Sequence, residues 1–173
     1  RYAVIGANGS GKSTLLRIVA CLLPAAAGTA RVEDGGEDFP DIASACHYLG
    51  HDNGMKPALT VAENLAFRRD FLGRPFLEIE EALDEVGLPT VGHLPYGYLS
   101  TGQRRRVAIA GLLVAYRPVW LLDEPSAGLD AASERRLSAL IGAHLEDGGI
   151  VVAATHLPLG LETARELRMG GNV

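Results

Sequence analysis

The 173-residue sequence predicts an α/β fold in which a mainly parallel sheet is flanked by helices. Two apolar runs, Val119 to Leu122 and Ile150 to Ala154, are typical of strands that are buried on both faces, as in parallel sheets. Helical periodicity separates the two runs, and alternating strands and helices favour parallel pairing. A third observation is the glycine-rich segment Gly6 to Ser13, which lies between an apolar run and a helical stripe. In such sheets, ligands bind at the carboxyl ends of the strands.

The first third of the chain begins with a strand and a helix. Tyr2 to Ile5 is the apolar run before the glycines, and Ser13 to Leu23 carries an apolar stripe that a proline closes. Thr29 to Phe39 is polar and contains glycine, which predicts a hairpin and a turn. Tyr48 and Leu49 then lead into a loop rich in glycine, aspartate, asparagine and proline, Gly50 to Pro57.

The middle of the chain is predicted to be helical. Thr60 to Glu63 forms a capping box that opens a helix through about Phe71, and Glu78 to Val86 carries a second helical stripe. No segment between Thr60 and Tyr116 has a firm strand pattern, so we expect a helical insert over about residues 60–117. Ala131 to Leu145 is a further predicted helix. The whole chain, residues 1–173, is predicted to form one domain.

The segment Gly6 to Ser13 matches the phosphate-binding pattern G-x-x-x-x-G-K-S. Its glycines allow successive backbone N–H groups to face one anion, and the following helix adds its positive N-terminal end. Lys12 is expected to reach the β- and γ-phosphates of a nucleotide, and the Ser13 hydroxyl to bind Mg²⁺. The predicted phosphate-binding residues are Gly6, Ala7, Asn8, Gly9, Ser10, Gly11, Lys12, Ser13 and Thr14.

Composition and residue spacing argue against several other kinds of function. A formal net charge of −5 argues against sequence-independent binding of nucleic acid. Cys21 and Cys46 lie 25 positions apart, so there is no C-x-x-C metal or redox motif. His47 and His51 are separated by a glycine that argues against a shared helical face for a metal. The longest apolar stretch, Val107 to Ala115, has nine residues, too few to cross a bilayer.

Further motifs follow the phosphate loop in a set order. Leu99 to Gln103, of sequence LSTGQ, precedes a helix, and Asp123 and Glu124 end a buried strand 24 residues after Leu99. Ser126 to Asp130 and then His156 complete the series. This order resembles the ATP-binding subunits of ABC transporters over nearly the whole chain.

The resemblance implies a P-loop NTPase fold of ABC type and ATP hydrolysis with Mg²⁺. Asp123 would hold Mg²⁺, mostly through water, and Glu124 would orient and deprotonate the attacking water. Lys12 and His156 would contact the phosphates. In the family, a second copy of the subunit completes each nucleotide site, so that two copies enclose two ATP molecules. The residues that would act across that interface are Ser100, Gly102, Gln103 and Asp130.

The sequence departs from the family pattern in three ways. Either His51 or Asp52 occupies the position where the family places a glutamine, and Asp52 could orient water or Mg²⁺ there. Thr101 replaces a small residue in the signature. The aromatic residue that stacks on adenine comes from strands before the phosphate loop, and this chain opens at Arg1, so we expect it to be truncated at its N-terminus.

Four segments further resemble the ATP-binding subunits of haem exporters in bacterial cytochrome c maturation: Tyr48 to His51, Met55 to Leu65, Arg117 to Pro125 and Thr155 to Leu159. That resemblance implies a peripheral ATPase on the cytoplasmic face of the inner membrane, bound to a membrane permease subunit near Gly50 to Pro57. It implies no direct haem binding. The alternatives are the ATPase of another ABC exporter and a soluble ABC ATPase without a transport role.

Overall fold

The computed structural model describes residues 2–5, 9–155 and 164–170 of the chain. These residues belong to two compact units. The sheet unit draws on Arg1–His51, Arg117–Pro125 and Ile141–Val173, and the helical unit consists of Asp52–Tyr116 and Ser126–Leu140.

The sheet unit contains a five-stranded sheet in the order β2-β3-β4-β1-β5. The strands are β1 Tyr2–Ile5, β2 Cys46–Leu49, β3 Val119–Asp123, β4 Ile150–Ala154 and β5 Arg165–Arg168. Every neighbouring pair is parallel. This topology confirms the predicted α/β fold with a parallel sheet. All five residues of β3 are buried, as its apolar sequence predicts.

Two helices of the sheet unit are α1, Lys12–Val19, and α2, Ile42–Ala45. Helix α1 packs on β3 and β4 and buries Leu16 completely. Full burial of a leucine side chain contributes about 1.5–3 kcal/mol. The core around it is apolar and comprises Val4, Leu16, Ala45, Cys46, Val119, Leu121 and Ala154. This packing holds the start of α1 beside the ends of the central strands.

Helix α1 ends at Val19, four residues before the predicted end at Leu23. Cys21 has a φ of 58°, in the left-handed region, and the Leu22 N–H donates to the Arg17 carbonyl at 2.8 Å. This is the Schellman pattern that closes many helices, here without the usual glycine. The prediction was wrong because the apolar stripe continues past a backbone turn that no sequence signal marks.

The predicted hairpin over Thr29 to Phe39 is also wrong. Residues 29–39, all of which the structure describes, contain no strand and close with a turn in which the Phe39 N–H donates to the Gly35 carbonyl. Glycine-rich polar segments form irregular loops as readily as hairpins when no partner strand fixes the register. Asp41 then caps α2 by accepting the Ser44 N–H at 2.8 Å.

Strand β5 has no counterpart among the predictions. Its four residues, Arg165–Arg168, are polar apart from Leu167, and all four are exposed. The strand pairs with β1 at the edge of the sheet. An edge strand of this kind has no buried face and therefore no alternating pattern to detect.

The helical unit contains three packed helices and part of a fourth. They are α3 Val61–Leu72, α4 Ile79–Glu85, α5 Thr101–Leu113 and α6 Ala131–Glu146, whose last residues belong to the sheet unit. The capping box is present: the Thr60 hydroxyl accepts the Glu63 N–H at 3.1 Å, and the Glu63 carboxylate accepts the Thr60 N–H at 2.7 Å. Helices α3 and α4 lie where the sequence predicts them. Between residues 60 and 116, β-pairing is limited to isolated bridges.

Helices that could span a membrane, both long and apolar, are absent from residues 2–5, 9–155 and 164–170.

Candidate functional site

Part of the predicted phosphate loop surrounds the start of α1. Gly11 is the N-cap of this helix with a φ of 93°, and Gly9 has a φ of 81°. Both angles lie in the left-handed region, which glycine adopts without the strain of a side chain. No side chain caps α1, so its first turn keeps the positive end that attracts phosphate.

The hydroxyl oxygen of Ser10 is buried and has no hydrogen-bond partner among the described residues. A buried hydroxyl without a partner costs about 1–3 kcal/mol. Ser10 lies beside Gly170, where a Cβ would stand 3.4 Å from Ser10 Cβ, and it does not line the cleft described next. Support for a phosphate site therefore comes from the helix start and the cleft.

A cleft of about 340 Å³ opens in front of the helix start, within the size range of ligand sites. The sheet unit alone forms it, and its lining residues are Gly9, Gly11, Lys12, Ser13, Thr14, Asp123 and Glu124. Only 8% of Lys12 and 6% of Asp123 is exposed. The fold thus gathers most of the described loop residues, the last carboxylate of β3 and the carboxylate that follows it around one cavity.

Hydrogen bonds hold the Asp123 carboxylate at both oxygens. The Ser13 hydroxyl donates to Oδ1 at 3.0 Å, and the Tyr48 hydroxyl donates to Oδ2 at 3.3 Å. A serine hydroxyl and a carboxylate are hard oxygen donors of the kind that Mg²⁺ prefers, with substrate phosphates and water completing its shell. The described residues include no group of three or more histidine, cysteine, aspartate or glutamate side chains able to hold a metal alone. The donors present therefore fit a magnesium ion that arrives with a nucleotide.

Glu124 stands where β3 turns out of the sheet. Its φ of 45° is in the left-handed region, and its N–H donates to the Ala154 carbonyl of β4 at 2.8 Å. Such a conformation costs about 1–3 kcal/mol for a residue other than glycine and is frequent at functional sites. Asp123 and Glu124 both line the cleft.

The signature residues occupy the start of α5 in the helical unit. Ser100 is the N-cap: its hydroxyl accepts the Gln103 N–H at 3.3 Å, and the Gln103 side chain accepts the Ser100 N–H at 2.9 Å. A Cβ on Gly102 would stand 3.1 Å from the Gly128 carbonyl oxygen, which explains a glycine there. The signature is thus also a helix start with its own structural requirements.

Asp130 caps α6 by accepting the Ser133 N–H at 2.8 Å. This hydrogen bond holds the pKa of the Asp130 carboxyl below its ordinary value. Asp52 is exposed in the helical unit, and His51 is exposed in the sheet unit. Gly6, Ala7, Asn8 and His156 lie outside the described residues.

The three consecutive arginines after the signature donate hydrogen bonds to other segments of the helical unit. Arg104 donates to the Gly97 carbonyl, Arg105 to Asn53 and Arg106 to the Gly87 carbonyl. Tyr48 contacts a carboxylate of the cleft although the sequence does not predict it as a site residue, because a tyrosine in a strand carries no signal of a contact 75 positions away.

A sequence model of the ABC transporter family matches residues 1–127. The chain belongs to that family and is an ATPase of ABC type. It is 69% identical over 167 residues to the cytochrome c biogenesis ATP-binding export protein CcmA of Mesorhizobium japonicum, covering 96% of this chain and 83% of that protein. The protein of the same name from Chelativorans sp. is 66% identical over the same shares.

Solved structures agree with this assignment. The dimeric structure of MJ0796, a bacterial ABC transporter cassette, superimposes with a TM-score of 0.82 at 27% identity and covers 97% of this chain and 80% of that one. A dimeric post-hydrolysis state of the same cassette, bound to ADP and Pi, gives a TM-score of 0.81 at 26% identity over the same shares.

Proposed function

We propose that this chain is the ATP-hydrolysing subunit of an exporter that serves bacterial cytochrome c biogenesis, with haem as the group exported. The observation that carries the ATPase chemistry is the cleft in which Ser13 hydrogen bonds to Asp123 beside the start of α1. The cytochrome c role is supported by the names of relatives that are 69% and 66% identical to this chain.

We assign the chemical roles as follows. Lys12 and the glycine loop bind the phosphates, and Ser13 and Asp123 would hold Mg²⁺, with Asp52 as a further candidate. Bound Mg²⁺ supplies charge neutralisation at the phosphate oxygens. Glu124 takes the proton of the attacking water, and His156 contacts the γ-phosphate.

A second copy of the chain would complete each site. In that arrangement, Ser100, Gly102, Gln103 and Asp130 of one copy face the nucleotide held by the other. The dimeric state of the MJ0796 cassette supports this proposal. Ser100 and Gly102 lie at the start of α5, where helix N–H groups and the helix dipole favour a phosphate.

The partner that we propose is a membrane permease subunit, which would hold this chain at the cytoplasmic face of the inner membrane. The loop from Gly50 to Pro57 is its proposed docking site. The ATPase of another ABC exporter would share all of the cleft chemistry and differ in this partner and in the exported group.

The decisive experiment replaces Lys12 with alanine in the chromosomal gene. Because Lys12 binds the phosphates on which hydrolysis depends, the Lys12→Ala strain should lose c-type cytochromes and keep its b-type haemoproteins. Haem staining of denatured membranes separates the two, since only c-type haem stays covalently attached. Arg31→Ala removes an exposed cation from the irregular segment between α1 and α2, which does not line the cleft, and serves as the control.

A Lys12→Ala strain with a normal c-type pattern would refute the cytochrome c role. The ATPase assignment would then stand, and another exporter would become the better proposal. An equal loss of c-type haem in the Arg31→Ala control would show that the assay reports protein level instead of ATP hydrolysis.

A further inference from the structure

Four side chains of the sheet unit form a continuous hydrogen-bonded series next to the cleft. Ser13 donates to Asp123 Oδ1 at 3.0 Å, and Tyr48 donates to Asp123 Oδ2 at 3.3 Å. The Arg17 guanidinium donates through Nε to the Tyr48 hydroxyl oxygen at 3.2 Å. Since Ser13 and Arg17 are four residues apart on α1, one face of this helix carries both ends of the series.

The sheet register places Tyr48 within reach of Asp123. Tyr48 of β2 lies opposite Leu121 of β3, and Asp123 follows Leu121 by two residues, so these side chains share one face of the sheet. That face also carries Leu121 into the core against α1. The contact therefore follows from strand pairing and does not depend on a flexible loop.

Gly50 leaves the space into which the Tyr48 ring folds. A Cβ at Gly50 would lie 2.6 Å from Cε1 of that ring and 2.8 Å from its hydroxyl oxygen. Gly50 itself is buried, and its φ is not in the positive region. The glycine is thus required by the neighbouring ring and not by its own backbone conformation.

The hydrogen-bond partners of Tyr48 make it a donor to Asp123. A phenol hydroxyl donates one hydrogen bond only, and the Asp123 Oδ2 atom 3.3 Å away is an acceptor. Arg17 occupies the acceptor side of the hydroxyl oxygen, which directs the hydrogen towards the carboxylate.

We propose that Tyr48 is a positioning residue, which fixes the Asp123 carboxylate through Oδ2 and leaves Oδ1, beside Ser13, as the oxygen that would bind Mg²⁺. This inference rests on the metal assignment under the proposed function. A carboxylate that is held at one oxygen loses rotational freedom before the metal arrives, which favours binding through the other oxygen. Removal of the tyrosine hydroxyl should therefore weaken metal binding without removing a ligand.

The test is Tyr48→Phe, which keeps the ring and deletes the hydroxyl. With Mn²⁺ as the probe and ADP bound, electron paramagnetic resonance should show Mn²⁺ affinity lowered about three- to tenfold, at or below the lower end of the roughly 10- to 100-fold range for groups that orient metal ligands. The Mg²⁺ concentration for half-maximal ATP hydrolysis should rise by a similar factor. Tyr2→Phe, at the opposite end of β1 from the phosphate loop, is the matched control and should change neither quantity.

Two further variants separate positioning from other causes. Gly50→Ala keeps the hydroxyl but displaces the ring, so it should weaken Mn²⁺ binding to the same extent as Tyr48→Phe. The double variant should be no weaker than either single one. Thermal unfolding of each variant identifies any loss that arises from misfolding.

The outcomes distinguish this inference from the metal assignment beneath it. If Asp123→Asn lowers Mn²⁺ affinity and Tyr48→Phe leaves it within about 1.5-fold of the parent, the positioning role is wrong and the metal site stands. If Asp123→Asn also leaves the Mn²⁺ affinity unchanged, the assignment of the metal to Asp123 is wrong. Additive losses in the double variant would show that Gly50 acts independently of Tyr48 and would overturn the structural argument.

Discussion

His144 should make the stability of the sheet unit depend on pH in a direction that the structure determines. Its ring stacks on Trp120 with centroids 4.1 Å apart and planes 10° from parallel, and Nε2 lies 3.2 Å from the Pro118 carbonyl oxygen, to which it must donate. Burial lowers the pKa of His144 from its ordinary value of 6.5, against the opposing effect of the hydrogen bond to Pro118. The folded protein therefore favours the neutral ring.

The sign follows from proton linkage. Below pH 6.5 the unfolded chain binds a proton at this histidine while the folded chain does not, so the free energy of unfolding falls with pH until the lowered pKa is reached. The contribution is fully present above pH 6.5. Its slope is at most about 1.4 kcal/mol per pH unit, and between about pH 7.5 and about pH 5.5 the loss is at most about 1.4 kcal/mol.

Urea unfolding followed by tryptophan fluorescence measures this effect, because Trp120 is the single tryptophan of the chain. The comparison variant is His144→Gln, whose side-chain amide can donate to Pro118 without titrating. Subtracting its pH profile removes the contributions of all other groups. The free energy of unfolding of the parent, minus that of the variant, should fall as the pH drops below 6.5. Parallel profiles for the two proteins would refute the reasoning.

Two further predictions concern ATP hydrolysis. Glu124→Gln should retain nucleotide binding and lower phosphate release by about 10²- to 10⁴-fold, because it removes the proposed base; release within about threefold of the parent would contradict that role. Gly102→Ala places a methyl group 3.1 Å from the Gly128 carbonyl oxygen and should lower hydrolysis through a displaced start of α5. The control Gly142→Ala, with open space in α6, should stabilise the protein by about 0.5–1 kcal/mol and leave hydrolysis unchanged. Equal hydrolysis by both glycine variants would exclude a specific requirement at Gly102.

Much of the fold and of the candidate site could be predicted from the sequence because it depends on local interactions. The phosphate-loop pattern, the Thr60 capping box and the two apolar runs of β3 and β4 each involve neighbours within a few residues or a solid run of one residue type. The structure confirms the capping box and both strands. The family resemblance, built on motifs of this kind, agrees with the match over residues 1–127.

Tertiary structure alone decided two kinds of feature: contacts between residues far apart in the sequence, and elements whose sequence carries no periodic pattern. The early end of α1 at Val19 depends on the left-handed backbone conformation of Cys21, and the exposed strand β5 exists because β1 offers it an edge. The contacts that hold Asp123 join residues 110 and 75 positions apart. No sequence periodicity encodes such distances, because the register of the parallel sheet sets which side chains meet, and that register forms only when the whole core packs.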